Sequence, residues 1–166
     1  MAKGAPPDPF TPLLEDHAEF AARLQTLEAT LDEMVETREA REANRRVLDA
    51  TIRFFEEQLL PHFRAEEEIV LPPLEAKIGR FGTLVNVIAY EHEEIRREIA
   101  KFKDARAELD RAGDPWAAIE ELNRHGIFTV QFLADHLRKE RSSLFPTARA
   151  ELPREDLDRI RERLRR

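Results

Sequence analysis

Apolar residues recur every three or four positions along most of the chain, and this spacing predicts a series of amphipathic helices. The first helix is predicted over about residues 11–37, because Thr11-Pro12 combines an N-cap residue with proline at the first helical position. The second is predicted over about residues 41–71. Pro61 should kink it, and Pro72-Pro73 should end it.

The same periodicity predicts two further long helices and a short last one. The third begins near Leu84 and stops near Gly113. Asp114-Pro115 repeats the cap-plus-proline signal at the start of the fourth, which is expected to end just before Pro146. A short helix follows Pro153. Four long amphipathic helices with short connections predict an all-α fold, an antiparallel up-down-up-down four-helix bundle with a short C-terminal helix.

Proline content and helix pattern divide the chain into three parts. Residues 1–10 are proline-rich and are predicted to form a disordered N-terminal arm. Residues 11–146 form the predicted bundle, and residues 147–166 a C-terminal helical extension. At 166 residues, the chain is long enough for one domain with a real core.

Composition excludes several classes of function. A formal charge of −7 gives no electrostatic reason to bind nucleic acid or an anionic membrane. No apolar run approaches the ~20 residues that a membrane span requires, and the start of the chain lacks the apolar segment of a secretory signal. A cytoplasmic location is therefore expected. Because the chain has no cysteine, any bound metal must be held by nitrogen and oxygen ligands.

An internal repeat carries the strongest chemical signal. Asp16-His17 is matched by Glu91-His92, 75 residues later, and His62-x3-Glu66 is matched by His136-x3-Glu140, 74 residues later. A proline follows the histidine of each His-x3-Glu motif at the same offset of ten residues. The chain is therefore predicted to consist of two helical hairpins of one design, each contributing a histidine and then a His–Glu pair.

The repeat predicts that six polar residues converge in one layer of the bundle. Residues four apart share a helix face, and in an antiparallel bundle the starts of the first and third helices lie beside the ends of the second and fourth. A single buried histidine could simply be hydrogen-bonded to backbone, but six buried groups in a duplicated pattern favour a metal site. The predicted ligands are His17, His62, Glu66, His92, His136 and Glu140.

Six nitrogen and oxygen ligands are too many for one tetrahedral zinc ion, so they suit two metals. A symmetric division gives each metal two imidazoles and oxygens from two bridging glutamates, and a bridging oxide, hydroxide or water would add a further ligand. Imidazole and carboxylate suit iron, and manganese or zinc less specifically. Two iron ions are therefore the predicted cofactor.

The pattern of His17, His62-x3-Glu66, His92 and His136-x3-Glu140, with Leu60–Glu67 and Leu144-Phe145-Pro146 around it, resembles the hemerythrin-like, HHE cation-binding family. The resemblance runs from about Leu13 to Pro146. It implies a non-haem di-iron centre in which the histidines are terminal ligands and the two glutamates bridge. It also implies a small ligand, dioxygen, nitric oxide or peroxide, and a role in carriage, sensing, or oxidative and nitrosative stress.

Three functions stay open at this point: a centre that binds or turns over a small ligand, an iron-handling or iron-sensing module without turnover, and a purely structural bundle. The protein partner is unknown. Oxygen carriers of this family have a second histidine one turn from the first on the third helix, and here Ile88 and Arg96 occupy those positions. A reversible oxygen carrier is therefore not expected.

Three other polar residues could be mistaken for ligands. His125 shares a helix with His136 but lies ~16 Å away along it, so a core or end-of-bundle position is expected, with a second site or proton relay as the alternative. Glu67 is expected to be solvated, unless the Pro61 kink turns it to the metal. Tyr90 is expected to pack rather than to act in catalysis. Phe55, Leu59 and Phe132 are predicted core residues that could also line the site.

Overall fold

The computed structural model describes residues 4–111 and 113–166, and within these residues all regular structure is helical. The described residues form five helices: α1 (Thr11–Thr37), α2 (42–78), α3 (Leu84–Arg111), α4 (116–151) and α5 (Arg154–Leu164). The prediction of an all-helical protein is confirmed. None of these helices combines the length and the apolar character needed to cross a bilayer.

Helices α2 and α4 contain wide π turns between α-helical stretches. In α2 the turns are Phe55–Leu59 and Glu66–Val70, and in α4 the turn is Glu140–Leu144. Each turn closes when a backbone N–H donates to the carbonyl five residues earlier, and the residue after that donor is always proline. Proline lacks an N–H, and its ring crowds the carbonyl four residues before it. A widened turn at this point relieves that crowding and lets the helix continue.

The prolines therefore do not end the helices, and the predicted helix ends were wrong at both places. Helix α2 continues through Pro72-Pro73 as Leu71–Ile78, and α4 continues through Pro146 as Phe145–Glu151. Pro61 likewise follows a π turn inside a helix that continues on both sides. Sequence rules treat proline as a helix terminator, whereas here the wide turn one residue earlier accommodates it.

The apolar stripes pack into two clusters along the helices. The larger contains Phe20, Leu31, Phe55 and Phe102, and the smaller contains Leu13, Val70, Ile88 and Leu144 among others. Burying one such side chain contributes roughly 1.5–3 kcal/mol. Four of the predicted metal ligands lie between residues of the larger and the smaller cluster along their helices: His17, Glu66, His92 and Glu140. His62 and His136 lie among the last residues of the larger cluster, next to Phe63 and Leu137. The polar residues are thus enclosed by apolar packing above and below.

Helix α4 packs closely against α1 and α3 at Gly126. A Cβ atom at this position would lie 2.5 Å from Leu31 Cδ1 of α1 and 3.1 Å from Phe102 Cε2 of α3. Both distances are too short for an unshifted packing contact. Glycine at this position therefore allows the three helices to meet.

The residues before α1 contact the rest of the molecule from Pro7 onward. Phe10 is completely buried and stacks on Phe145 with a 4.8 Å centroid separation, while Asp8 accepts two hydrogen bonds from Arg149. Arg161 of α5 donates to the carbonyl of Pro7. Ordered contacts thus begin before Thr11. The first three residues of the predicted arm lie outside the described residues.

Candidate metal centre

The six predicted ligands come together inside the bundle. Helices α1 and α3 each supply one histidine, and α2 and α4 each supply a His–Glu pair one turn apart. Each of the six residues is at most 3% exposed, although all are polar or ionisable: His17, His62, Glu66, His92, His136 and Glu140. Burial of such groups is costly unless they are paired or bind a metal.

Their ligand atoms form two groups that share Glu140. One group is Glu66, His92, His136 and Glu140, and the other is His17, His62 and Glu140. Within each group, one ligand atom per residue lies within 4.8 Å of all the others. Either group could therefore surround a single ion.

Both glutamates reach toward both groups. Glu140 Oε1 lies 3.0 Å from His17 Nε2, and Glu140 Oε2 lies 3.3 Å from His136 Nε2. Glu66 Oε1 lies 3.0 Å from His62 Nε2 and 3.7 Å from His92 Nε2. Each carboxylate thus stands between histidines of different helices, which is the placement that a bridging ligand needs.

Several of these buried atoms have no hydrogen-bond partner in the described residues. They are both ring nitrogens of His17, Nε2 of His62 and all four carboxylate oxygens of Glu66 and Glu140. The close contacts described above bring these atoms together without the alignment of a hydrogen bond. Buried polar groups are nearly always satisfied, so a cluster of exceptions needs an explanation. Convergent imidazole nitrogens and carboxylate oxygens fit a metal such as iron, manganese or zinc.

The π turns place the two glutamates. Glu66 and Glu140 are each the first residue of a π turn, and in each case the proline that follows the turn lies six residues after the glutamate. Single π turns inside α-helices are often found at functional sites. The repeated proline after each His-x3-Glu motif is therefore the sequence signal of this local geometry.

Three carboxylates orient three of the histidines from outside. Asp16 Oδ2 lies 2.9 Å from His62 Nδ1, Glu67 Oε1 lies 2.8 Å from His92 Nδ1, and Glu91 Oε1 lies 2.9 Å from His136 Nδ1. A histidine that donates its Nδ1–H to a carboxylate presents Nε2 to a metal in a fixed orientation and as a stronger base.

Sequence reasoning missed the role of Asp16 and Glu91, although both belong to the repeat. Each directly precedes a predicted ligand histidine in the chain, yet each forms a hydrogen bond with the histidine of the neighbouring helix instead. Glu91 is also held by Lys139. The signal was present as an acidic residue before the histidine in both copies. Only the packing of the helices shows which histidine it serves.

Glu67 has neither of the two roles considered for it. It does not join the ligand groups, and it is not a freely solvated carboxylate. Arg96 donates two hydrogen bonds to it, at 2.8 and 2.9 Å, while it accepts a third from His92. Partial burial would raise the pKa of Glu67, but the hydrogen bonds from His92 and Arg96 outweigh burial and hold this pKa at about 2.

The ionisation of the buried glutamates differs. Burial, together with the charge of Glu140, raises the pKa of Glu66 to about 7. Burial would also raise the pKa of Glu140, but the close polar contacts with Glu66 and with the surrounding histidines hold this pKa well below its usual range. Despite burial, contacts with Glu140 and Glu91 raise the pKa of His136 to about 9. Two adjacent buried carboxylates thus resist double ionisation in the absence of a cation.

Aromatic rings cover the histidines. Phe63 stacks on His92 with a 4.0 Å centroid separation and meets His136 edge-on at 5.6 Å, and Phe20 meets His62 edge-on at 5.0 Å. These rings limit the access of water. Phe55 and Leu59 are fully buried in the larger cluster, as expected for core residues, and Phe132 is partly buried against it.

The remaining sequence candidates lie outside both groups. His125 contacts Glu98 at 2.7 Å and Glu121 at 3.1 Å, so both its nitrogens are engaged away from the cluster. Tyr90 was expected to pack rather than to act in catalysis, and it is 60% exposed. Tyr90 therefore lies on the solvent-facing side of α3.

Comparison with known proteins agrees with this geometry. The family model described as the hemerythrin HHE cation-binding domain matches residues 8–148 of the chain. No curated protein sequence matches this chain. The chain belongs to the hemerythrin HHE cation-binding domain family. Membership identifies a domain class that binds cations, typically iron, and the buried His/Glu cluster could hold a metal.

Proposed function

We propose that this protein is a non-haem di-iron protein whose centre binds or reacts with dioxygen, nitric oxide or peroxide, in oxidative or nitrosative stress response or in sensing. The observation that carries the proposal is a cluster of seven buried nitrogen and oxygen atoms that have no hydrogen-bond partner within residues 4–111 and 113–166. His17, His62, Glu66 and Glu140 contribute these atoms. Manganese or zinc suits the same donors less specifically than iron.

In the proposed centre, His17 and His62 would hold one metal, and His92 and His136 would hold the other. Glu66 and Glu140 would be the bridging ligands, together with an oxide, hydroxide or water. The contacts of both glutamates with histidines of both pairs support this assignment. Iron would supply redox and Lewis-acid chemistry when bound.

The residues around the ligands prepare the site for such an ion. Asp16, Glu67 and Glu91 hold three rings with Nε2 toward the centre. The Phe20 and Phe63 rings exclude bulk water, which strengthens electrostatic interactions inside. A small ligand would therefore meet a preformed and largely dry site.

The proposed architecture is an antiparallel four-helix bundle over residues 11–146, with residues 147–166 as an extension. Contacts near both ends of the first helix pair support opposite directions. Asp16, early in α1, contacts His62, late in α2, whereas Glu33, late in α1, bonds Asn44, early in α2.

Metal analysis of purified wild-type protein and three variants tests the proposal. About two iron per chain with oxo-bridge charge-transfer absorption is expected for the wild type. Glu66→Ala and Glu140→Ala should each lower the metal content sharply. His125→Ala should retain it, because both nitrogens of His125 are engaged elsewhere. Equal metal content in all three variants would refute the ligand assignment.

An iron-sensing module without turnover is the second candidate. The raised pKa of Glu66, caused by burial and by Glu140, favours it, because a cation would relieve the repulsion and make stability depend on metal. Mixing reduced, iron-loaded protein with peroxide or nitric oxide distinguishes the two candidate functions. Repeated consumption of the ligand supports the first, and unchanged ligand with metal-dependent melting supports the second.

A further inference from the structure

The two halves of the duplicated site differ in what covers the outer side of the histidines. By the spacing of the repeat, Glu67 corresponds to Arg141, and Arg96 corresponds to Ala21. The ion pair that seals one half is thus replaced in the other half by a single cation and a methyl group. This difference is confined to the surroundings, since the six ligand residues follow the repeat.

On the His92 side, the outer approach is closed. Glu67 accepts the hydrogen bond from His92 Nδ1 and is gripped by both terminal nitrogens of Arg96. The Arg96 guanidinium lies 6.0 Å from the centre of the Phe63 ring, which itself stacks on His92. The polar atoms at this face are thereby engaged with one another.

On the His17 side, the corresponding space is open. A cleft of about 230 Å³ lies between α1 and α4, and its lining includes His17, Ala21, Glu28, Val130 and Arg141. His17 is 3% exposed, and its Nδ1 has no hydrogen-bond partner in the described residues. Among the four candidate ligand histidines, His17 alone has no carboxylate partner on its outer nitrogen in the part of the chain that the structure describes. The cleft therefore borders a buried, unsatisfied polar side chain of the centre.

The cleft is large enough for a small anion, and Arg141 places a positive charge in its lining. Its volume is several times the ~30 Å³ that one water occupies in the liquid. Arg141 is exposed, and its side chain forms no ion pair or hydrogen bond within residues 4–111 and 113–166. A guanidinium without a partner attracts anions, and this matters in a chain whose formal charge is −7. Glu28 also borders the cleft but does not pair with Arg141.

We propose that the cleft between α1 and α4 is the entrance to the metal centre and that Arg141 recruits small monovalent anions, of the nitrite or azide type, into it. The inference rests on the proposed di-iron function. The small side chain of Ala21 leaves this passage open. Its counterpart in the other half of the repeat, Arg96, bonds Glu67 and closes the corresponding space. A neutral ligand such as nitric oxide would use the same passage without help from Arg141.

Stopped-flow binding of azide and of nitric oxide to iron-loaded protein tests this, after metal content has been measured for each variant. Arg141→Gln should slow azide association about tenfold, because it removes the attracting charge, and should leave nitric oxide association unchanged. Ala21→Leu should slow both ligands, because it fills the passage. Arg138→Gln, three residues away and paired with Asp135, is the matched control and should change neither rate. Glu28→Gln should not slow azide.

A readout independent of reactivity comes from ¹⁵N NMR of the zinc-loaded protein titrated with azide. Amide shifts near Ala21 and Arg141 are expected in the wild type and should weaken in Arg141→Gln.

The outcomes separate the inference from the function on which it rests. If the wild-type protein takes up no metal, the proposed di-iron function itself is refuted. If metal content is normal but Arg141→Gln and Arg138→Gln bind azide alike, the role of Arg141 is overturned. Equal slowing of azide and nitric oxide by Arg141→Gln would overturn the anion selectivity. Unchanged rates in Ala21→Leu would show that ligands enter elsewhere.

Discussion

The outer carboxylate of Glu67 offers a sharp test of how the protein tunes its metal centre. Replacing Glu67 with glutamine keeps the size and an accepting oxygen but removes the charge that faces His92 and Arg96. His92 then donates to a neutral amide and becomes a weaker base. Arg96 loses both of its charged hydrogen bonds to this residue.

The expected loss follows from the role of such partners. Removing a group that hydrogen-bonds to a metal-bound histidine typically lowers metal affinity 10–100-fold, which is about 1.4–2.7 kcal/mol. Glu67 contacts only His92 among the four histidines of the centre. The weakening should therefore fall mainly on one of the two metal equivalents, the one assigned to His92 and His136.

Competition with a chelator of known affinity measures this. Metal-free Glu67→Gln protein and wild type are titrated anaerobically with Fe²⁺ and, in parallel, with Zn²⁺. Glu57→Gln provides the matched control, because Glu57 is exposed on the same helix and loses the same charge. Equal metal affinities of Glu67→Gln and Glu57→Gln would refute the role of Glu67 as a partner that orients His92. Equal weakening of both metal equivalents would refute the assignment of the effect to the metal held by His92 and His136.

Three further outcomes follow from the structure. Metal-free protein should melt at progressively lower temperature between about pH 5 and 9, because the pKa values of Glu66 and His136 are raised in the fold to about 7 and about 9. Stability from a raised pKa is complete below the unfolded value and is lost as pH rises through the folded value. A flat profile in thermal scans of metal-free protein would contradict this. Gly126→Ala should destabilise the fold by roughly 1–3 kcal/mol in urea unfolding, because the new methyl would overlap Leu31, and a wild-type midpoint would contradict the close packing. Reduced iron-loaded protein should oxidise in air without a long-lived oxygenated form, because α3 supplies only His92 to the centre. An oxygenated spectrum that disappears and returns over repeated deoxygenation cycles would overturn that expectation.

The sequence alone predicted the helices and the six residues that converge. Helical periodicity locates the buried stripes, because each stripe must face a core. His17 is repeated as His92, and His62-x3-Glu66 is repeated as His136-x3-Glu140. Because the same motif on equivalent helices falls at the same height, the repeat predicted that all six residues lie at one level. These features are local or periodic, and a single chain displays them directly.

Helix continuity through proline was decided by backbone geometry that the sequence rules do not include. Pro72 and Pro146 were expected to end helices, yet a π turn before each one makes room for its ring. The repeated spacing between glutamate and proline carried this information. Its meaning depends on the hydrogen bonds of the turn, and these form only in the folded helix.

Contacts between helices decided the surroundings of the site. Asp16 precedes His17 in the chain but bonds His62, and Glu67 follows Glu66 but bonds His92 and Arg96. Which side chains meet across a helix interface depends on the rotation and the separation of the helices. Spacing along one helix does not determine these quantities. The sequence thus predicted the six candidate ligands and their common level, and the tertiary structure determined which partners orient them and which half of the site is open.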